Sequence, residues 1–328
     1  MGVALATMDA AEIARRKAET VRLWGEWTAH NIHLAEDIYT IGPDREADKL
    51  RRIVQIVSDL AQKPVEHLRI LDLGCLEGGY AIELARHGAE VMAIEGRRAN
   101  LEKVRFVKEV LGLSNLDLLQ DDVRNLDPAI HGHFDVVLCL GLLYHLDAPD
   151  VFSFVHQIAA GCHGFAIFDT YVGVQNIQRF EYRGREYWGR LIREHLPQSS
   201  MEERLKSRWA SLDNPNSVWI AHNSLYNLLS DAGFTSAYEC NLPTELSKPG
   251  DRFTIVAMKG KTQSLLAMPR ANRNAMGRLP KDTHRPYSRK QQFWPVAQER
   301  LTNLVPLTWR RSIKRSLPGF SARTRSSV

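Results

Sequence analysis

Arg69-Ile-Leu-Asp-Leu-Gly-Cys-Leu-Glu-Gly-Gly79 decides how the rest of the chain is read. Its first residues form a short apolar run of strand length that stops at Gly74, and Tyr80 to Arg86 then take helical spacing until Gly88. A strand, a glycine-rich loop and a helix in that order leave free N–H groups at the helix start. They point into space that Gly74, lacking a Cβ, does not obstruct. A nucleotide-like ligand fits such a loop.

Working outward, Glu90-Val-Met-Ala-Ile-Glu95 is a second strand, and Leu101, Val104, Val107 and Val110 mark an amphipathic helix ending near Gly112. Further strands are expected at about 115–119, 134–140 and 163–169, with a helix after Pro149 that shows Val151, Phe154, Val155 and Ile158 on one side. A helix from Ser224 to Ala232, closed by Gly233, and strands at about 236–241 and 252–258 complete the series. Upstream, Asp44 is placed to cap a helix carrying Leu50, Ile53, Val54, Val57, Leu60 and Ala61 before Pro64 ends it. Such alternation predicts a mostly parallel sheet covered by helices on both faces.

Two acidic positions add to the glycine loop. Glu95 ends the second strand 21 residues after Gly74, where a carboxylate can meet ribose hydroxyls. Asp121-Asp122-Val123 follows the third strand, where a carboxylate can accept from the exocyclic amine of adenine.

Asp72-x-Gly-Cys-x-x-Gly78, Glu95, Asp122-Val123 and Phe134-Asp-Val-Val-Leu-Cys-Leu-Gly-Leu-Leu-Tyr-His145 together resemble the successive motifs of class I S-adenosylmethionine (SAM) dependent methyltransferases. The resemblance implies an α/β, Rossmann-like seven-stranded sheet whose last strand is antiparallel; the roughly fifty residues between the strand ending at Asp169 and the helix at Ser224, longer than an ordinary connection, read separately as an insertion after the fifth strand. It implies SAM as cofactor. Asp72, Gly74, Cys75 and Gly78 would face its methionine part, Glu95 with Gly96 its ribose, and Asp121, Asp122 and Val123 its adenine. Leu76 departs from the second glycine common in the family. A narrower similarity, carried by Leu140 to His145, Asn223-Ser-Leu225 and Asp251-Arg252, is to the tRNA wobble-uridine carboxymethyltransferase branch. It implies Leu140, Tyr144 and Arg252 as pocket residues. That branch uses a carboxylated SAM and places lysines in its N-terminal segment, which are not found around Trp24, Trp27 and His30, so ordinary SAM is the expectation.

The boundaries that follow are an N-terminal helical extension (1–68), a SAM-binding domain (69–260) with a lid or substrate-binding insertion (170–221), and a basic tail (261–328). The insertion is rich in aromatics and charges, and Tyr187, Trp188, Arg190, Glu194 and His195 are read as pocket-forming ahead of merely packing it. Trp24, Trp27, His30 and Asn31 either cover the cofactor or cap the core, and capping the core is the preferred reading. If the acceptor is a hydroxyl, its proton needs a base, and Tyr144, His145, Glu194 and His195 are the candidates. His145 reads equally well as a structural histidine.

The tail carries 15 Lys/Arg against 2 Asp/Glu, so a net +13 sits beside a body of −8. With Trp294 and Trp309 it suits RNA; with its mixed apolar and basic residues it suits an anionic membrane surface; it also suits a solvated extension. The four cysteines are scattered singly, without metal or disulfide spacing, and the expected chemistry calls for no metal. No signal peptide or membrane-spanning run is evident, and a cytoplasmic location is expected. The function expected is methyl transfer to a small-molecule acceptor such as a sugar, lipid-linked or secondary-metabolite intermediate. The alternatives are a tRNA-modifying methyl- or carboxymethyltransferase, and a non-catalytic SAM-binding or membrane-surface protein.

Overall fold

The alternation of apolar runs becomes a doubly covered sheet in the computed structural model, which describes residues 8–43, 47–175, 177–245, 247–273 and 277–281. Helix α1 (Ala10–Trp24), the small ladder β1 (His33–Ala35) and β2 (Ile38–Tyr39), and α2 (Asp48–Leu60) precede the sheet. Then follow β3 (Arg69–Leu73), α3 (Gly79–Arg86), β4 (Glu90–Ile94), α4 (Arg98–Leu111), β5 (Leu116–Leu119), α5 (Pro128–His131), β6 (Phe134–Leu140), α6 (Asp150–Gly161) and β7 (Cys162–Tyr171). The insertion holds β8 (Gln178–Tyr182), β9 (Arg185–Arg193), α7 (Met201–Lys206) and β10 (Asn216–Ile220). The described chain closes with α8 (His222–Asp231), β11 (Ser236–Glu239) and β12 (Arg252–Met258).

The seven-stranded sheet has the order β11-β12-β7-β6-β3-β4-β5, parallel throughout β5 to β7, with β12 antiparallel to β7 and to β11. This is the sheet that the resemblance implied. The chain moves from β3 outward through β4 to β5, then returns to β6 on the other side of β3. That reversal opens a crevice at the carboxyl ends of β3 and β6.

Alternate side chains of each strand feed two cores. Ile70, Val136, Leu138 and Ile167 face α2, α3 and α4, whereas Leu71, Leu73, Val137 and Phe168 face α6 and α8. Ile53, Ile56 and Val57 anchor α2, each worth about 1.5–3 kcal/mol when fully buried. That burial fixes α2 more firmly than its cap, because the helix opens at Asp48 with no side-chain cap on Ala47. Asp44, expected as the cap, lies outside the described residues.

The insertion corrects one expectation. The chain turns between Tyr182 and Arg185 through Arg183 and Gly184, both at positive φ, as a two-residue hairpin loop requires. Strand β10 then adds to β9 to make a three-stranded antiparallel sheet. Tyr187, expected in the pocket, is wholly buried instead. It stacks on Phe152 at 5.1 Å and donates to Asp231 at 2.7 Å, because β9 turns that side of its alternation toward α6 and α8.

Candidate active site

The crevice is a cavity of about 1570 Å³, lined by the loop after β3, the ends of β4 to β7, and residues 28–31 and 207–214. A single ligand pocket typically measures roughly 300–1,000 Å³, so there is room for a cofactor and an acceptor together.

The glycine loop forms its floor. Gly74 sits at φ +63°, and a Cβ there would lie 3.1 Å from Leu142, so only glycine passes beneath that side chain without strain. Asp72 is buried at the end of β3, and its Oδ2 finds no hydrogen-bond partner. Burial pushes its carboxyl up to about 7, the Ala81 N–H opposing and the Glu95 charge adding to the rise. The Cys75 thiol is pushed up by burial as well, which makes it a wall and not a nucleophile.

Leu76 stands at φ +52°, and its N–H donates to Glu95 Oε2 at 2.9 Å. The other Glu95 oxygen accepts from Arg97 N at 2.8 Å, although burial still raises this carboxyl overall. Gly78, expected to face a ligand, turns toward α4: a Cβ on it would lie 2.7 Å from Val104. Gly78 is absent from the cavity wall, while Gly96 and Cys75 belong to it.

Glu77 was missed by the sequence reading and holds the roof. Its carboxylate accepts from the N–H groups of Thr28, Ala29 and His30 at 2.9–3.1 Å and from Lys103 at 3.0 Å. Burial works against the charge, but these donors hold the carboxyl below its ordinary range. His30 in turn accepts from Gly79 N at 2.9 Å. His30 and Asn31 therefore line the cavity, while Trp27 joins the core as expected.

At the far end, Asp121, Asp122 and Val123 line the wall after β5. Asp122 gives both oxygens to Arg124, which also reaches Asp213 at 2.7 Å and Asp150 at 3.3 Å. Burial resists the charge on Asp122, but Arg124 keeps its carboxyl below the usual range.

The opposite wall is built by Leu140, Gly141 and a single 3-10 turn, Leu143–His145. Tyr144 meets Tyr171 edge-on at 5.0 Å, and Trp219 stacks on Tyr171 at 4.7 Å. Burial pushes the Tyr144 phenol up to about 12. Beside it, the buried Asp169 accepts from Arg252 at 2.6 Å, Lys49 at 2.8 Å and Thr254 at 2.9 Å. Despite the cost of burial, the two cations bring its carboxyl down to about 2. Lys49 lines the cavity from the first turn of α2; no local pattern around it announces that position.

His145 and Glu194, 49 residues apart, meet here. His145 Nδ1 lies 3.0 and 3.1 Å from the Glu194 oxygens, and Ser217 Oγ (2.6 Å) and Ser211 N (2.9 Å) also donate to Glu194. Burial disfavours the Glu194 charge, but these donors hold it below its ordinary range. His195 does not share the wall: it is buried, with Nε2 3.0 Å from the Ser211 carbonyl. Trp188 and Arg190 also lie off the cavity wall.

Residues 70–162 match the family model of a methyltransferase domain. A ubiquinone biosynthesis O-methyltransferase of Acinetobacter baylyi is 27% identical over 185 residues, covering 56% of this chain and 72% of that protein. A magnesium-protoporphyrin O-methyltransferase of Rhodobacter capsulatus is 24% identical over 54% of this chain and 78% of its own length. Among solved structures, the N-terminal domain of EvdMO1, crystallised in the presence of S-adenosylhomocysteine (SAH) and D-fucose, superposes with a TM-score of 0.58 at 26% identity. That likeness covers 77% of this chain and 97% of the other.

The chain is a class I SAM-dependent methyltransferase.

The chemistry of the methyltransferase cavity fits SAM. SAM carries an ammonium group, a ribose diol and an adenine. The cavity offers the orphaned Asp72 oxygen for a cation, the Glu95 carboxylate at the end of β4, and a passage beneath Leu142 that a Cβ on Gly74 would fill. Among the described residues, no helix is long and apolar enough to cross a membrane. The stretch for which RNA or membrane contacts were considered, with Trp294 and Trp309, lies outside the described residues beyond 281.

Proposed function

We propose that this methyltransferase methylates a hydroxyl oxygen of a small, ring-bearing acceptor such as a sugar, with His145 as the general base. The observation that carries the reading is the His145–Glu194 pair on the wall of the cofactor cavity. A hydroxyl is a poor nucleophile until its proton is taken, and a histidine oriented by a buried carboxylate serves that step. The O-methyltransferase names of the two relatives and the D-fucose of the EvdMO1 crystal support the same choice.

SAM, when bound, supplies a methyl group on a sulfonium, which an oxygen nucleophile displaces in line. Asp72 would hold its ammonium group, Glu95 its ribose hydroxyls, and the Asp121–Val123 turn its adenine. Tyr144, Tyr171 and Trp219 give the acceptor ring an apolar face to lie on. His145 takes the hydroxyl proton on Nε2, and Glu194, kept ionised by its donors, stabilises the resulting imidazolium. Tyr144 keeps its proton near neutral pH and orients the acceptor without acting as the base.

The test is SAH release from SAM across a panel of monosaccharides, nucleotide sugars and phenols, with the product identified by mass. Release with hydroxylated acceptors that His145→Gln abolishes supports the reading. Release confined to amines or carboxylates, or untouched by His145→Gln, rejects it.

A further inference from the structure

Residues 205–214 pass over the adenosine end of the cavity, and their attachment to the sheet domain rests largely on side chains. Their own main-chain bonds are local, from Ser207 N to Arg204 O and from Ala210 N to Ser207 O. The most extensive tie to the sheet is Arg97, whose Nη2 donates to the carbonyls of Ser207, Ala210 and Ser211 at 2.9–3.0 Å and whose Nε donates to Leu205 O at 3.2 Å; Arg124 on Asp213 at 2.7 Å and Arg208 on the Glu26 carbonyl at 3.0 Å add to it. Leu212 seats on Gly96, where a Cβ would lie 2.9 Å from its Cδ2. Arg97 is also bound through its main-chain N–H to Glu95, the carboxylate offered to the ribose.

The same strap reaches the other wall through Ser211. Its carbonyl takes Arg97 and lies against His195 Nε2, its N–H donates to Glu194, and its hydroxyl donates to Asn214 O at 2.5 Å. Asn214 Nδ2 then donates to the main-chain carbonyl of His145 at 3.0 Å. A continuous path of short bonds thus runs from Glu95 through Arg97 and Ser211 to Glu194 and His145.

We propose that Arg97 and Ser211 are positioning residues that couple occupancy of the adenosine site to the orientation of His145. A ligand on Glu95 touches Leu212 and its neighbours only while the strap is closed, so it favours that state by its differential contacts. The closed strap presents the Ser211 N–H to Glu194 and the Asn214 amide to His145, which fixes the imidazole. The base is set once the cofactor is in place, and water has less chance to meet a loosely held methyl donor. The placing of adenosine at Glu95 and the identity of His145 as base rest on the reading above; the bonds from Glu95 through the strap to His145 do not.

Hydrogen exchange of the full chain with and without SAH reads the strap, and nitrogen-15 spectra of its histidines, assigned with His145→Gln, read the imidazole. In the native protein, SAH should slow exchange in 207–214 at least tenfold and narrow His145 to one tautomer. Arg97→Met should abolish both changes while leaving exchange in β3 and β6 as it was. Arg97→Lys keeps the charge but cannot serve four carbonyls, so it should lose most of the protection; it is the variant to use if Arg97→Met fails to fold. Equal SAH-dependent protection of 207–214 in native and variant proteins, or a His145 tautomer that ignores the variant, overturns the coupling. Methyl transfer that survives His145→Gln while the protection pattern holds would reject the base and leave the coupling standing.

Discussion

Glu77 and Lys103 form an ion pair at 3.0 Å with both side chains wholly buried, directly behind the cofactor loop. Removing one member of such a pair leaves the other charged and unpaired, which costs about 3–5 kcal/mol. Glu77→Gln should lose that much in urea unfolding, since an amide cannot also accept from Thr28, Ala29 and His30 as the carboxylate does. Glu77→Gln combined with Lys103→Met should recover part of the loss. SAH should bind the single variant more weakly, because residues 28–31 roof the cavity.

Replacing His145, the proposed base, should separate chemistry from binding. His145→Gln should lower kcat by roughly 10²–10⁴-fold while the Kd for SAH, measured calorimetrically, stays within about threefold. Glu194→Gln should lower kcat less than His145→Gln does, because the imidazole remains. Tyr144→Phe should change kcat by under about tenfold, since a phenol pushed up to about 12 holds its proton throughout the working range.

The outcome at individual residues shows what kind of information a sequence carries. Strands β3, β4, β6 and β7 announce themselves by apolar runs of strand length, and the turn after β3 by Gly74 and Gly78, which take positive φ without strain. Asp72, Glu95, Asp122 and Tyr144 stand on the cavity wall because strand ends in this topology converge there. Glu77 and Lys49 could not be read in the same way. The Glu77 donors lie 47–49 residues upstream and 26 downstream, and Lys49 meets Asp169 across 120 positions, so nothing nearby marks either as buried. Tyr187 misled for a related reason: an aromatic cluster in an insertion is the same string whether it faces a ligand or α6.

Asp72 makes stability depend on pH in a direction opposite to that of a salt-bridged acid. Its carboxyl rises from the ordinary 3.8 to about 7 on folding. Between those values the folded protein holds a proton that the unfolded chain has released. Stability therefore falls as pH rises through that window, and the full penalty is present above about pH 7. Asp72→Asn removes the penalty. The ligand-free variant should match the native protein near pH 4 and exceed it near pH 8, by at most about 4 kcal/mol in chemical unfolding. Its SAH affinity should fall if Asp72 holds the ammonium group as proposed, since a neutral amide offers that cation no charge.

The basic stretch is bounded at 261 by charge, composition and the lack of a core pattern, but the domain holds on to residues beyond that point. Leu279 exchanges two hydrogen bonds with the Asn227 side chain, at 2.9 Å to its carbonyl oxygen and 3.0 Å from its amide nitrogen. Asn223 reaches Pro280 O at 3.2 Å. Arg278 pairs with Asp231, donates to Glu186 O at 3.1 Å and lies over the Tyr187 ring, tying α8 to β9. A chain ending at 281 should therefore be more stable than one ending at 260 by about 1–3 kcal/mol, allowing roughly 1 kcal/mol for each of these bonds that survives solvent competition. In thermal unfolding that is several degrees of Tm. Asn227→Ala in the longer chain should reproduce a large part of the difference, and in the shorter chain almost none of it. Equal loss in both chains would mean that Asn227 acts within α8 alone and that 278–280 contribute nothing to the domain.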